Sequence, residues 1–262
     1  FPIETIHRPL EPDTNDWDDM PEFAQRLART HAHKALHSFK AQNGTVQTGL
    51  SDHEHLVASQ TWDSTIQAYQ ASIAFVDRQI GRFVDALEKN PRDRETIIIL
   101  VSDHGWHLGE KKHWCKGAIW EQTTRIPFMV RAANIKPGSV CMQPVSLIDV
   151  YPTLADLAGL PVPGHLDGKS IKPQLADPNI ERSPAISSYG EGNTAIRTQR
   201  WRYIRYEDGS EELYDHANDP HEWKNLAASP DHLVIKRELA DAIPEQQHAG
   251  LKVQSWFDKY QQ

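Results

Sequence analysis

Only two cysteines, Cys115 and Cys141, occur in 262 residues, so no disulfide framework holds the chain and a packed core must do so. At this length a sizeable core is available, in one large domain or two smaller ones. No apolar run approaches the roughly 20 residues of a membrane-spanning helix. Positive charge is in deficit: 28 Lys and Arg against 36 Asp and Glu give a formal charge of −8. That balance excludes a broad nucleic-acid or anionic-membrane footprint, and a polyanionic substrate would need a locally basic pocket. Residues 1–19 lack the charged-then-apolar profile of a secretory leader and are irregular, proline-punctuated and acidic. Internal repeats and low-complexity tracts are missing too. What remains, with 39% hydrophobic and 24% charged residues, reads as a soluble globular protein.

Residues 1–22 carry Pro2, Pro9, Pro12 and Pro21 without a period and read as a surface loop. Phe23, Leu27 and Leu36 set a loose helical face over 23–40, which also holds His31, His33 and His37. His33 and His37 are four apart, so a helix puts them on one face, either sharing a metal or simply exposed. Residues 61–89 give the clearest period, with Ile66, Tyr69, Ile73, Val76, Ile80, Phe83 or Val84, and Leu87 recurring at three and four. Thr61 or Asp63 starts this packing helix and Asn90-Pro91 stops it. The run 96–102 is β-branched and apolar on both faces, as a central parallel strand requires, and 126–132 reads the same way. Residues 144–160 predict a short strand, then a helix with Pro152 in its first turn and Gly159 at its end. This order is α/β. After Pro161 the texture becomes loop-rich. Residues 195–216 predict antiparallel strands with Asp208-Gly209 as a turn, and 229–243 a capped helix. A boundary near residue 180 separates 1–180 from 181–262.

The apolar run at 96–102 ends in Asp103-His104-Gly105. In open α/β sheets ligands sit beyond the carboxyl ends of strands. A carboxylate there is desolvated unless something positive meets it, and a divalent cation is the simplest partner. Gly105 then lets the backbone pass close to a ligand. The alternative is a turn capped by Asp103, with His104 an ordinary loop histidine. Trp106, His107, His113 and Trp114 share the loop, and such rings suit a sugar or aryl group.

Five segments in order carry a resemblance: S-D-H-G-W-H-L-G-E at 102–110, W-x-K at 114–116, T-R-I-P-F-M-V at 124–130, L-I-D-V-Y-P-T-L-A-D-L-A-G-L-P-V-P at 147–163, and the stretch 192–227. Together they resemble the second half of the type I sulfatases of the alkaline phosphatase superfamily, and look most like the iduronate-2-sulfatase-like branch. The resemblance implies an α/β fold, a mostly parallel sheet flanked by helices and incomplete because its first half is absent. It also implies a small C-terminal antiparallel subdomain with a terminal helix. Residues 1–180 would then be the second half of the catalytic domain. The implied activity is hydrolysis of a sulfate ester on a sulfated sugar.

By the same resemblance Asp103 and His104 match a pair of metal ligands, normally for Ca2+. The oxygen of Asp103 suits that hard cation, whereas the nitrogen of His104 suits Mn2+ or Zn2+ better. Lys116 matches the lysine that contacts the sulfate, where an ammonium offsets charge on the transferring group; its alternative is an exposed lysine in a basic loop with Lys111 and Lys112. Arg125 matches an arginine expected either to support the groups that touch metal and sulfate or to form a structural ion pair. Trp106, His107, His113 and Asn193 are the expected substrate contacts, Asn193 lying with Glu191 in a glycine-bordered loop.

Three parts of the family pattern are missing. No C/S-x-P/A-x-R motif, the source of the formylglycine nucleophile, occurs, and neither Cys115 nor Cys141 fits it. Asp18-Asp19 does not end an apolar strand, so it reads as a loop rather than the family's first aspartate pair. The HxPH-like imidazole segment is absent. The chain therefore reads as the second half of a sulfatase, inactive alone. It would pair with the missing half or self-associate through an open apolar sheet edge. Alternatives are a phosphomonoester or phosphonate hydrolase on the same scaffold, or a non-catalytic module that binds sulfated glycan or packs on a partner. The resemblance favours a periplasmic or extracellular setting.

Overall fold

The computed structural model describes residues 1–10, 16–29 and 37–245. The first helix, α1 (Glu22–Ala28), is followed by a hairpin of β1 (His37–Lys40) and β2 (Val46–Leu50). The helix expected over 23–40 therefore ends early. Ala41 to Thr45 close a turn in which Ala41 N donates to Thr45 O at 2.8 Å and Gly44 takes φ +86°. An Asn-Gly turn of this kind favours a hairpin over a continued helix. His31 and His33 lie outside the described residues, and His37 begins a strand, so the helical spacing assumed for the histidines does not reach it.

Ser51 begins α2 (Asp52–Ala58) through reciprocal bonds with Glu54, which satisfy two otherwise orphaned donors. The long helix α3 (Trp62–Glu88) follows, as the period requires. It is not the fully packed helix expected. Trp62 and Ile66 are buried, but Ile73, Val76 and Phe83 on the predicted core face are each more than half exposed. Among the described residues nothing covers that stripe.

Strand β3 (Ile98–Val101) does form, but its partner is antiparallel: β6 (Phe128–Arg131), with Val101 opposite Phe128. No parallel pair occurs among the described residues. Between them lie the two-residue strands β4 (His107–Leu108) and β5 (Trp114–Cys115), and a single helical turn, α4 (Glu121–Thr124). The short strand expected before Pro152 is instead a 3-10 turn, Leu147–Asp149, leading into α5 (Val150–Leu157). Asp149 explains it. Its buried carboxylate accepts from Ser146 N and Lys169 N at 2.8 Å each and pairs with Arg182, also at 2.8 Å. That side chain ties the loop-rich segment, with α6 (Lys172–Ala176), back onto the helix. Gly159 ends α5 at φ +70°.

The four-stranded sheet comprises β7 (Ala185–Ser188), β8 (Thr194–Arg197), β9 (Trp201–Arg205) and β10 (Glu211–Asp215), ordered β10-β9-β8-β7 and antiparallel throughout. Alternation gives it two apolar faces. Ile196, Tyr203 and Leu213 pack on α7 (Leu233–Asp241) through Leu239. Ala195, Ile204 and Tyr214 pack on Phe23 and Leu27 of α1 and on Ile119 and Trp120. The second face matters most for the site, because Trp120 is immediately followed by α4.

Candidate active site

The chain leaves β3 at Val101 and turns through Asp103 and His104. The Asp103 side chain is 81% exposed, and its Oδ2 stands 3.4 Å from His104 Nε2. His104 Nδ1 lies 2.8 Å from the Gly105 carbonyl. A carbonyl only accepts, so Nδ1 carries a proton, and in the neutral imidazole Nε2 is the nitrogen with the lone pair. Gly105 N and Trp106 N then donate to Thr123 O at 2.6 Å and Gln122 O at 2.8 Å, docking the loop on α4. Gly105 was expected to clear a ligand. The close approach is instead to protein backbone: a Cβ there would lie 2.0 Å from Gln122 O.

Beside this turn opens a cleft of about 870 Å3, lined by His104, Trp106, Arg125, Tyr69 and Trp223 among others. Tyr69, Trp106 and His104 form a continuous stack, with ring centroids 6.1 and 6.0 Å apart. Tyr69 was missed from the sequence because its place in the α3 period reads as packing. Arg125 is exposed in the cleft and makes no ion pair among the described residues. Lys116 is exposed just past the β4–β5 ladder. Because His107 pairs with Cys115, Trp106 and Lys116 are the next residues at the same end.

Three expected substrate contacts have no surface to offer. His107 and His113 are 0% and 1% exposed and pack edge-on against each other and Trp120. His113 Nδ1 bonds the Ala28 carbonyl at 2.9 Å, and burial, then the neighbouring His113, pushes the His107 pKa down. Asn193 is also fully buried; its Oδ1 accepts from Glu207 N and its Nδ2 donates to Glu191 O. These side chains hold the loops from within. Lys111, expected as a surface lysine, is buried too, donating to Asp16, Tyr214 and the Glu222 carbonyl. Cys115 is half-buried, and burial raises its thiol to about 11, so it stays protonated at neutral pH.

The sulfatase family model matches residues 17–160 of this chain. The chain belongs to the sulfatase family. A second family, described as N-sulphoglucosamine sulphohydrolase, C-terminal, matches residues 109–249. A curated sulfatase of Formosa agariphila is 41% identical over 175 residues, 66% of this chain and 34% of its own length. The choline-sulfatase of Rhizobium meliloti is 36% identical over 172 residues, 63% of this chain and 33% of its own. The matched region thus spans about a third of these relatives, at 34% of the first. A solved enzyme in complex with its substrate D-glucosamine-2-N,6-O-disulfate superposes with a TM-score of 0.63 at 28% identity, over 78% of this chain and 43% of that one. A 2-O GAG sulfatase, 23% identical, superposes with a TM-score of 0.71 over 98% of this chain and 56% of its own, and bears on the fold alone. The fold is the sulfatase-like α/β fold with a small antiparallel C-terminal sheet.

The sulfatase family generally binds a divalent cation, and the donor chemistry of Asp103 and His104 is compatible with part of such a site. A carboxylate oxygen and the lone pair of a neutral imidazole, 3.4 Å apart, can both reach one ion, and the Nδ1–H bond to the Gly105 carbonyl holds the ring in place. A different cluster, Glu121, His216 and Glu222, also brings donor atoms within 4.8 Å of one another. There the charge is already met. Arg202 pairs with both carboxylates and Arg197 with Glu121. Burial raises the Glu121 pKa, but Arg202 and Arg197 more than offset it and bring it to about 2. Arg197 Nη2 lies 2.9 Å from His216 Nδ1, so His216 directs its Nε2 proton to Glu222. A cation here would have to displace two guanidinium groups.

Proposed function

We propose that this chain is the later part of a sulfuric ester hydrolase acting on a sulfated sugar. The observation that carries the reading is the Asp103–His104 donor pair, 3.4 Å apart, opening beside the Tyr69–Trp106–His104 stack within a chain of the sulfatase family. Asp103 and His104 would hold the cation, Ca2+ by family habit, which when bound draws electron density from the sulfate oxygens. The Lys116 ammonium contacts the sulfate and offsets charge there, and Arg125 lends a second positive charge at the cleft. Trp106 and Tyr69 offer flat faces to a sugar ring. The S-D-H-G-W…L-G-E…W-x-K pattern supports the finer assignment to the iduronate-2-sulfatase-like branch. We place the division between catalytic domain and C-terminal subdomain near residue 180.

Residues 1–262 contain no C/S-x-P/A-x-R nucleophile motif, so this segment alone is inactive in our reading, and the uncovered α3 stripe is where the rest of the catalytic domain packs. The test compares aryl sulfate and aryl phosphate turnover by the protein at its full natural length and by residues 1–262 alone. Sulfate turnover confined to the full-length protein is expected. Faster phosphate turnover overturns the sulfatase reading, and turnover by residues 1–262 alone overturns the view that the nucleophile lies elsewhere.

A further inference from the structure

The turn α4 is held from behind by two arginines: Arg197 meets Glu121 alone, whereas Arg202 reaches both ends of the turn. Arg202 sits in β9 with its side chain 2% exposed. Its Nη1 donates to Ile119 O at 3.0 Å, and its Nη2 donates to Glu121 Oε2 and to Thr124 Oγ1, the latter at 2.9 Å. Its Nε lies 2.6 Å from a Glu222 carboxylate oxygen. Glu222 in turn accepts from Glu121 N at 3.0 Å through its other oxygen. One guanidinium therefore touches the residue before Trp120, the first residue of α4 and the last. Only the planar five-donor fork of arginine can serve that many acceptors at once.

The opposite side of the same turn receives the His104 loop. Gln122 O and Thr123 O, both within α4, accept from Trp106 N and Gly105 N. There is no slack in this contact, since even a methyl group at position 105 would collide with Gln122 O. Close-packed elements of this kind shift as units rather than deforming smoothly. Any displacement of α4 must therefore carry Gly105, and with it His104, whose ring is fixed by the Gly105 carbonyl.

We propose that Arg202, acting through Glu121 and α4, is a positioning residue that sets the His104 loop, so that the C-terminal sheet controls the geometry of the cation site. The mechanical link stands on contacts alone. Its consequence for cation binding rests on the sulfatase reading above.

The experiment substitutes Arg202→Lys, which keeps the charge and loses the fork, and separately Thr124→Val, which removes a single acceptor at the rim of the network. Both are made in the protein at its full natural length. Hydrogen exchange is read at the Gly105 and Trp106 amides against Tyr203 and Ile204 in β9 as internal controls, and Ca2+ affinity is read by calorimetry. Exchange at 105–106 is expected to rise about tenfold while the β9 amides hold. Ca2+ affinity should fall about tenfold, the usual effect of losing a group that orients a ligand. A folded Arg202→Lys protein with unchanged exchange at 105–106 overturns the proposal. Should Arg202→Lys fail to fold, Thr124→Val decides by the same readout. If the unsubstituted protein binds no Ca2+ and cleaves no sulfate ester, the sulfatase reading falls, while the exchange result still decides the link between Arg202 and the loop.

Discussion

Asp103 Oδ2 and His104 Nε2 lie 3.4 Å apart although the residues are adjacent in sequence. In a strand, neighbours point to opposite faces. Here β3 has already ended, and the His104 amide turns back to bond Asp103 Oδ1 at 3.1 Å. The turn converts two divergent side chains into a convergent donor pair, and the Gly105 carbonyl holds the imidazole with its lone pair outward.

If that pair holds the cation, Asp103→Asn and His104→Ala should each weaken Ca2+ binding by about 100-fold in the full-length protein, the upper end of what losing a group at a metal site costs. Thermal unfolding of Asp103→Asn without Ca2+ should hardly move, because the Asp103 side chain is 81% exposed, whereas His104→Ala also loses the stack on Trp106. Calorimetric titration with melting curves checks both. Unchanged affinity in either variant removes the pair from the site.

Lys116→Ala should lower kcat for aryl sulfate by about 10²–10³, the loss typical of removing one preorganised charge-stabilising group. Lys116→Arg should recover part of it. Because Lys116 is exposed, neither change should shift the melting temperature appreciably. Steady-state kinetics on both variants gives the answer.

Gly105→Ala should cost about 3 kcal/mol of stability or expel the loop from α4, the usual outcome of overpacking against backbone that has no flexible end to yield. The added Cβ would sit 2.0 Å from Gln122 O and 2.8 Å from Arg125 O. Chemical denaturation with hydrogen exchange at residues 105–106 distinguishes the two. A variant that keeps both stability and exchange contradicts the described contact.

Two buried groups pull stability in opposite directions as pH rises from acid to neutral. Burial, then His113, lowers the His107 pKa; the unfolded chain binds a proton below about 6.5 that the native state refuses, so stability falls as pH drops through that value. Burial raises Glu212 to about 7 even though Lys111 and the Trp120 indole N–H oppose it. The native state then keeps a proton that the unfolded chain releases above about 4.5, so stability falls as pH rises from there, fully by the time Glu212 ionises. Glu212→Gln should remove the loss that accrues as pH rises from about 4.5 to about 7, on the order of 3 kcal/mol, and His107→Gln the acid one. Melts from pH 5 to 9 on the three proteins check the signs.

Local rules set much of the secondary structure. The three-and-four spacing from Ile66 to Leu87 determined α3, the Asp208-Gly209 turn determined the β9–β10 hairpin, and the β-branched run determined β3, because each depends on neighbours within a few residues. That Asp103 and His104 sit just past the end of β3 was legible for the same reason: residue type and strand end coincide in one short motif. What the sequence could not decide was which partner each segment meets. Whether β3 pairs parallel or antiparallel, whether His107 and His113 face a substrate or Trp120, and whether Lys111 is wet or buried are all settled by contacts far apart in the chain. Arg202 is the clearest case. In W-R-Y-I-R nothing separates it from Arg205, yet the side of β9 it leaves on faces Glu121 and Glu222, and only the stacking of α1 and residues 118–120 on that face dries the surroundings enough to make the pairing strong.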